Sequence, residues 1–364
     1  MLGDGMGWKL FAGGLLAFTL TAVLLWFLVP VARHVGLVDH PGGRKTHYHP
    51  TPLIGGIAMF IAFAFSVLML DTPLSSYRML FAGSLLLVVV GAIDDLYELS
   101  ALRRFGAQIA ASLLMTLGGG VVPADFGYLV MPDNLLSLGP FAVPLTVFAT
   151  VGVLNAVNMV DGLDGLAGAL VFIAIVALGV IAWVGDKIHD IMVPGLLGAT
   201  IFAFLLFNLR PRGRALVFMG DAGSLFLGFV LVWFLVALSQ GEQRLLAPVT
   251  ALWLFALPLI DTISMMMRRI LLGRSPFRAD QEHFHHILLA VGFGPKRTLL
   301  LMLSIALAAA CVGLAGHFLE VPEHRMFFGF LGLSALHFCT IMWTWHRRCF
   351  WGKPLLPSDD TGVQ

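Results

Sequence analysis

Asp94, Asp95, Asp161, Asp164, Asp221 and Asp261 stand at the edges of long apolar runs in a chain that is 59% hydrophobic and only 12% charged. Most arrive in tight company: Gly91-Ala-Ile-Asp94-Asp95, Asn155-Ala-Val-Asn158-Met-Val-Asp161-Gly162-Leu-Asp164-Gly165, and Met219-Gly220-Asp221-Ala-Gly223-Ser224. An ionisable side chain at membrane depth costs on the order of a few kcal/mol and is retained where it faces a cavity, a partner or an ion. Carboxylate and amide oxygens grouped this way suit Mg²⁺, a hard cation that shares its coordination shell with phosphate oxygens and water. The expected chemistry is that of a metal-dependent polar site built into an apolar protein.

Asn155, Asn158, Asp161 and Asp164 recur at a spacing of three, which places all four on one helical stripe if the helix persists through Gly162 and Gly165. Amides alone could be interhelical glue, but two carboxylates and two amides on one stripe exceed what glue needs. Asp221 could simply cap the apolar run that follows it, worth roughly 0.5–2 kcal/mol. Its flanking glycines point further, because they let a ligand or ion approach the backbone closely. Asp221 and Asn158 are therefore the expected metal pair. Asp94 and Asp95, being adjacent, cannot share one face; one is expected to serve the metal region and the other a hydrogen-bond partner.

The basic groups form a second pattern. His283, His285 and His286 follow Asp280 and Glu282 and share their segment with Arg268, Arg269, Arg274 and Arg278. Zinc would need a friendlier setting, since no cysteine is near and the arginines repel a cation. The same arginines favour a phosphate-binding rim with the histidines as donors, and Arg44, Lys45 and His47 make a smaller version of it. An acidic centre rimmed by Arg, Lys and His fits transfer of a phosphorylated group from a soluble nucleotide to an acceptor dissolved in the bilayer.

The elements that must hold these groups are apolar. A mean hydropathy of +0.91 excludes an ordinary soluble domain. Crossing a ~30 Å hydrocarbon layer takes roughly 20 helical residues, and eleven stretches qualify, at about 8–32, 53–70, 77–95, 105–122, 140–157, 164–184, 190–209, 217–238, 246–267, 298–317 and 325–345. The expectation is an all-α polytopic membrane protein, one domain over 1–350 with a polar, disordered tail at 351–364. With the N-terminus outside and the C-terminus cytoplasmic, 17 of the Lys and Arg residues fall inside and 5 outside, a strong positive-inside bias. The same assignment places every acidic cluster at the cytoplasmic edge, alongside the two long loops 33–52 and 268–297. Three cysteines imply no disulfide framework. An ion-coupled transporter is the rival class, since it too buries acids; it predicts midplane groups and internal repeats, and this chain gathers its acids at one edge without a repeat.

At these residues the chain resembles the polyprenyl-phosphate N-acetylhexosamine-1-phosphate transferases. The matching motifs are Asp94-Asp95, Asn155-x-x-Asn158-x-x-Asp161-Gly162-x-Asp164-Gly165, Phe218-Met-Gly-Asp221-Ala-Gly-Ser224, Pro258-Leu-Ile-Asp261-Thr and His283-x-His285-His286. Gly36-Leu-Val-Asp39-His-Pro41 and the asparagine-rich motif set it nearer to the N-acetylglucosamine-transferring members than to those using a MurNAc-pentapeptide donor. The resemblance implies eleven transmembrane helices in a bacterial inner membrane and Mg²⁺ (or Mn²⁺ in its place) held by Asp221 and Asn158. It implies a UDP-N-acetylhexosamine donor, undecaprenyl phosphate as acceptor, release of UMP, and entry into O-antigen or another surface glycan. Asp94, Asp95, Asp161 and Asp164 would be catalytic, with Asp94 and Asp95 near the lipid phosphate. Lys45, Arg104, Asn155, Asp261, Arg268, His283, His285 and His286 would bind substrate. Membrane lipid is an implied partner and nucleic acid is not; a homodimer is left open. One departure is Glu98, where the family often has Asp, so Glu98 is not expected to touch the metal.

Overall fold

A computed structural model describes residues 4–39, 50–70, 74–210, 214–275 and 283–350. They form thirteen α-helices: α1 (Asp4–Val35), α2 (Gly55–Leu68), α3 (Arg78–Tyr97), α4 (Ala101–Leu113), α5 (Ala142–Val160), α6 (Leu166–Val184), α7 (Met192–Asn208), α8 (Gly220–Ala237), α9 (Pro248–Leu254), α10 (Ala256–Leu271), α11 (Phe284–Ala290), α12 (Pro295–Phe318) and α13 (Glu323–Phe350). The only sheet among the described residues is a two-residue antiparallel pair, Val38–Asp39 against Thr51–Pro52.

Among the described residues, eight helices are long and apolar enough to cross a membrane, and nine if the bent pair α9 and α10 counts as one span. Every one of the eleven apolar stretches is helical, but α2 has 14 residues, and α4 has 13 before a five-residue π turn, Leu114–Gly118, continues it. The stretch 246–267 is broken: α9 and α10 meet at 86°. Pro258 explains the break, because it lacks the N–H that would bond the carbonyl of Leu254 and its ring crowds that carbonyl. α9 ends at Leu254. The expected cytoplasmic loop 268–297 is also partly helical, since α10 runs on to Leu271 and α11 occupies Phe284–Ala290.

α8 is the hub. It is apolar all round, as a helix enclosed by others should be, and 78% of its span is buried, against 17% for α13 at the periphery. Small residues let neighbours close on its first turn. A Cβ on Gly56 would fall 2.1 Å from Gly223 N, and one on Gly91 would fall 2.4 Å from Ala222 N. With no hydrophobic force between helices in lipid, such close approach supplies the van der Waals contact that holds them. The start of α2 is tied to the same place, with Gly55 and Gly56 N–H groups donating to Phe218 and Met219 carbonyls at 3.0 Å. α2, α3 and α5 thus converge on the N-terminal end of α8.

Candidate active site

The first turn of α8 is where the acids meet. Gly220 opens it with φ +72, a left-handed conformation that glycine adopts without strain. A Cβ there would sit 2.5 Å from Asp95 Oδ2. Asp95, reaching across from α3, accepts the Asp221 N–H at 2.9 Å and the Ala222 N–H at 3.3 Å. Asp95 therefore caps α8 from another helix, satisfying amides that have no partner within it and placing negative charge at the positive end of its dipole. This leaves the Asp221 side chain, within that first turn, without capping duty.

Asp221 Oδ1 accepts the Asn158 amide at 2.6 Å, and the same amide donates to Ser224 Oγ at 2.9 Å. The Asp94 carboxylate lies directly against that of Asp221. Asp94 Oδ1 accepts the Leu99 N–H at 2.6 Å, which holds the tight end of α3 where Glu98 turns left-handed at φ 50. Asp94 Oδ2 is buried without a hydrogen-bond partner and lies 3.3 Å from Arg104 Nη1, which is itself 4.0 Å from Asp221 Oδ2. Two carboxylates side by side, with an amide oxygen beside them, are the donor set a hard divalent cation takes. Asn158, having committed its NH₂ group, would offer its carbonyl oxygen.

The expected stripe of four is interrupted. α5 stops at Val160, and Asp161 leaves it at φ −77, ψ 41. Asp161 and Asp164 lie on the turn into α6, which Gly165 closes at φ +79. Desolvation, and then repulsion from Asp221, Asp95 and Asp164, push the Asp161 pKa up to about 8. Solvent does reach the Asp161 side chain, so the neighbouring carboxylates are the firmer part of that shift. Asn155, one turn back on α5, donates to Gln108 Oε1 of α4 at 2.7 Å and to the Val151 carbonyl.

The histidines do not form an exposed rim. His283 is 3% exposed and His285 0%. Asp261, fully buried on α10, is surrounded by donors: His283 Nδ1 at 3.0 Å, the Phe284 N–H at 3.1 Å, and His337 Nε2 of α13 at 3.4 Å. His285 faces the acidic turn, since a Cβ on Gly162 would fall 2.3 Å from its Nε2. Neither of its ring nitrogens has a hydrogen-bond partner. Burial first, and then the neighbouring His286, lower its pKa to about 3, so it is neutral at physiological pH. Arg268 is buried too, its guanidinium 3.7 Å from the centre of the Trp345 ring. Asp261 and Arg268 are thus not presented to solvent, whereas Arg104 is. Lys45, Arg44, His47, Arg278, Asp280, Glu282 and the tail 351–364 lie outside the described residues.

Three contributors escaped the sequence reading. Gln108 and Trp345 gave no local signal. His337 did: it is an ionisable residue in the middle of an apolar run, which by itself marks a buried partner.

An acidic first turn at the hub helix, backed by an arginine and faced by a buried histidine segment, defines a polar reaction centre in a multi-pass membrane protein. The glycosyl transferase family 4 model matches residues 77–239, which contain the whole acidic centre. The chain is 36% identical over 332 residues to the undecaprenyl-phosphate alpha-N-acetylglucosaminyl 1-phosphate transferase of Escherichia coli O157:H7, covering 90% of both chains. It is similar to proteins of the same name from Yersinia pestis (36%, 92% of both) and Haemophilus influenzae (35%, 87% of this chain and 89% of the other). The chain belongs to glycosyl transferase family 4.

Proposed function

We propose that this protein transfers N-acetylglucosamine 1-phosphate from UDP-N-acetylglucosamine to undecaprenyl phosphate at the cytoplasmic face of a bacterial inner membrane, releasing UMP. The observation that carries this reading is the meeting of Asp221, Asn158, Asp94 and Arg104 at one helix end, in a chain alike over nine-tenths of its length to enzymes named for that transfer. All eleven helical stretches cross the membrane in this reading, with the N-terminus outside.

A phosphate monoester has its second pKa near 6, so the lipid phosphate is already largely dianionic at pH 7 and needs no separate activation. Its oxygen attacks the sugar-bearing phosphorus, the bond to the bridging oxygen breaks, and UMP leaves with that electron pair. Asp221 and Asn158 would hold Mg²⁺, which when bound would supply charge neutralisation for the diphosphate and the leaving phosphate. Arg104 pairs with phosphate oxygens, and Asp94 fixes the Arg104 head group. Asp95 supports the centre by capping α8. Asp161 and Asp164 line the turn beside the donor, and the segment from His283 to His286 closes over it. The work is positioning and charge stabilisation, which dominate phosphoryl transfer.

The test is purified protein in detergent, assayed for UMP release from several UDP-sugars with and without undecaprenyl phosphate. Lipid-dependent release from UDP-N-acetylglucosamine is expected. Preference for a MurNAc-pentapeptide donor, or no release from any UDP-sugar, would overturn the reading.

A further inference from the structure

The last long helix, α13, puts three residues four apart on one face toward the histidine segment. His337 lies 3.4 Å from Asp261 and meets the Phe284 ring edge-on at 4.9 Å. Ile341 packs with Met265 of α10 and Ile287 of α11 in a small separate core. Trp345 stacks on the Arg268 guanidinium. The partners on α10, Asp261, Met265 and Arg268, share one face as well, at a spacing of four and three. Two helix faces therefore interlock along two turns, with α11 wedged against both.

The interlock bears on function because of what Asp261 does. One buried carboxylate fixes the His283 ring and caps the start of α11 through the Phe284 N–H. α11 is only seven residues long and could not hold its own geometry in isolation. It nevertheless carries His285, whose unpartnered ring faces Gly162 on the acidic turn. His337 brings Asp261 a third donor, from the helix packed against α10.

We propose that His337, seconded by Trp345, is a positioning residue for donor binding: α13 holds Asp261, and through it the His283–His286 segment, in register over the Asp161–Gly165 turn. The inference rests on the donor-side reading of that segment given above. His337 acts through Asp261 and touches no substrate.

His337→Leu removes the donor while roughly keeping the volume, and His337→Gln returns an N–H. The proposal expects His337→Leu to raise the UDP-N-acetylglucosamine KM about tenfold, equivalent to about 1.4 kcal/mol of binding. The undecaprenyl phosphate KM should stay unchanged, and His337→Gln should recover most of the loss. Hydrogen exchange over 283–290 should quicken in His337→Leu while exchange over 156–165 does not. Trp345→Leu should move the same two readouts in the same direction if His337→Leu cannot be purified. An unchanged donor KM with unchanged exchange, a fall in kcat and thermal midpoint with both KM values intact, or a Gln variant no better than Leu would each overturn the proposal. Should the wild-type protein transfer no sugar phosphate at all, the proposed function fails, and the exchange comparison still decides whether α13 holds the segment.

Discussion

At the scale of single residues the centre separates its acids by what each carboxylate already holds. Asp95 is committed to two backbone amides and Asp94 to the Leu99 N–H and Arg104, whereas Asp221 accepts no backbone amide and meets the Asn158 amide, the Asp94 carboxylate and, at 4.0 Å, Arg104. Asp221→Asn should therefore remove the charge a cation needs while sparing the fold. Transfer is expected to fall by about two to three orders of magnitude, the usual size of loss when a charge-stabilising group at a reacting centre is deleted. Asn158→Ala should act in the same direction but less, because a neutral ligand contributes less to a hard cation. Transfer assays across Mg²⁺ concentrations check both, and near-wild-type rates for Asp221→Asn at saturating Mg²⁺ would remove the assignment. A pH dependence follows from Asp161. Repulsion from Asp221, Asp95 and Asp164 holds its carboxyl above the ordinary carboxylate range, so without a cation it keeps part of its proton near neutral pH. A dication at Asp221 favours the ionised form whether or not Asp161 ligates it, so binding releases a proton. Mg²⁺ affinity should then rise with pH and level off above the Asp161 pKa, weakening by up to about tenfold per pH unit below it for one coupled proton. Calorimetry at pH 7 in buffers of different ionisation enthalpy measures the proton directly, and a release of zero would contradict the coupling.

The elements explain how much of this was legible beforehand. Apolar runs declare helices because their length and composition leave the backbone few alternatives in lipid, so all eleven stretches emerged as helical. The acids at their ends were equally readable, since charge in such a chain needs a reason. Contacts between distant elements were not. Nothing local says that Asp95 caps a helix starting 125 residues later, or that Asn155 turns to Gln108. The interrupted stripe after Val160 was signalled by Gly162 and Gly165, and the α9–α10 break by Pro258, yet in each case the apolar or polar period ran through the signal and masked it. Gly91 shows what the convergence requires. It sits one turn before Asp94 and Asp95, and an added Cβ would meet the backbone of Ala222, which cannot swing aside as a side chain can. Gly91→Ala should lever the end of α3 away from α8, separating Asp94 from Asp221 and pulling Asp95 off its amides. Overpacking of this kind costs about 1–3 kcal/mol, so a lowered thermal midpoint is expected together with a larger fractional loss of transfer than of folded protein. Activity and midpoint both at wild-type values would show that the two helices have room to spare.

For the whole molecule the decisive feature is which end of the bundle each broken or short element reaches. Arg244 pairs with Glu323 at 2.5 Å and Lys187 donates to the Gln243 carbonyl, lacing together the loops at the end opposite the acids. α9 starts from that end at Pro248, while α10 leads to α11, whose His285 touches the Asp161–Gly165 turn. In the topology proposed above, the bent pair joins the two ends despite its 86° break and counts as one crossing, the alternative being a re-entrant loop. On that topology the chain passes five times between Asp133 and Arg274, through α5, α6, α7, α8 and the α9–α10 pair, so the two residues should lie on opposite sides of the membrane. The proposed orientation puts the acidic end in the cytoplasm, because it carries the excess of Lys and Arg. In a protein freed of Cys311, Cys339 and Cys349, single cysteines at Asp133 and Arg274, both exposed, provide the measurement. An impermeant maleimide applied to intact spheroplasts should label Asp133→Cys and leave Arg274→Cys untouched until the membrane is opened. Labelling of both in intact spheroplasts would make the bent pair re-entrant, and the reverse pattern would turn the acidic centre away from the cytoplasmic nucleotide on which the proposed transfer depends.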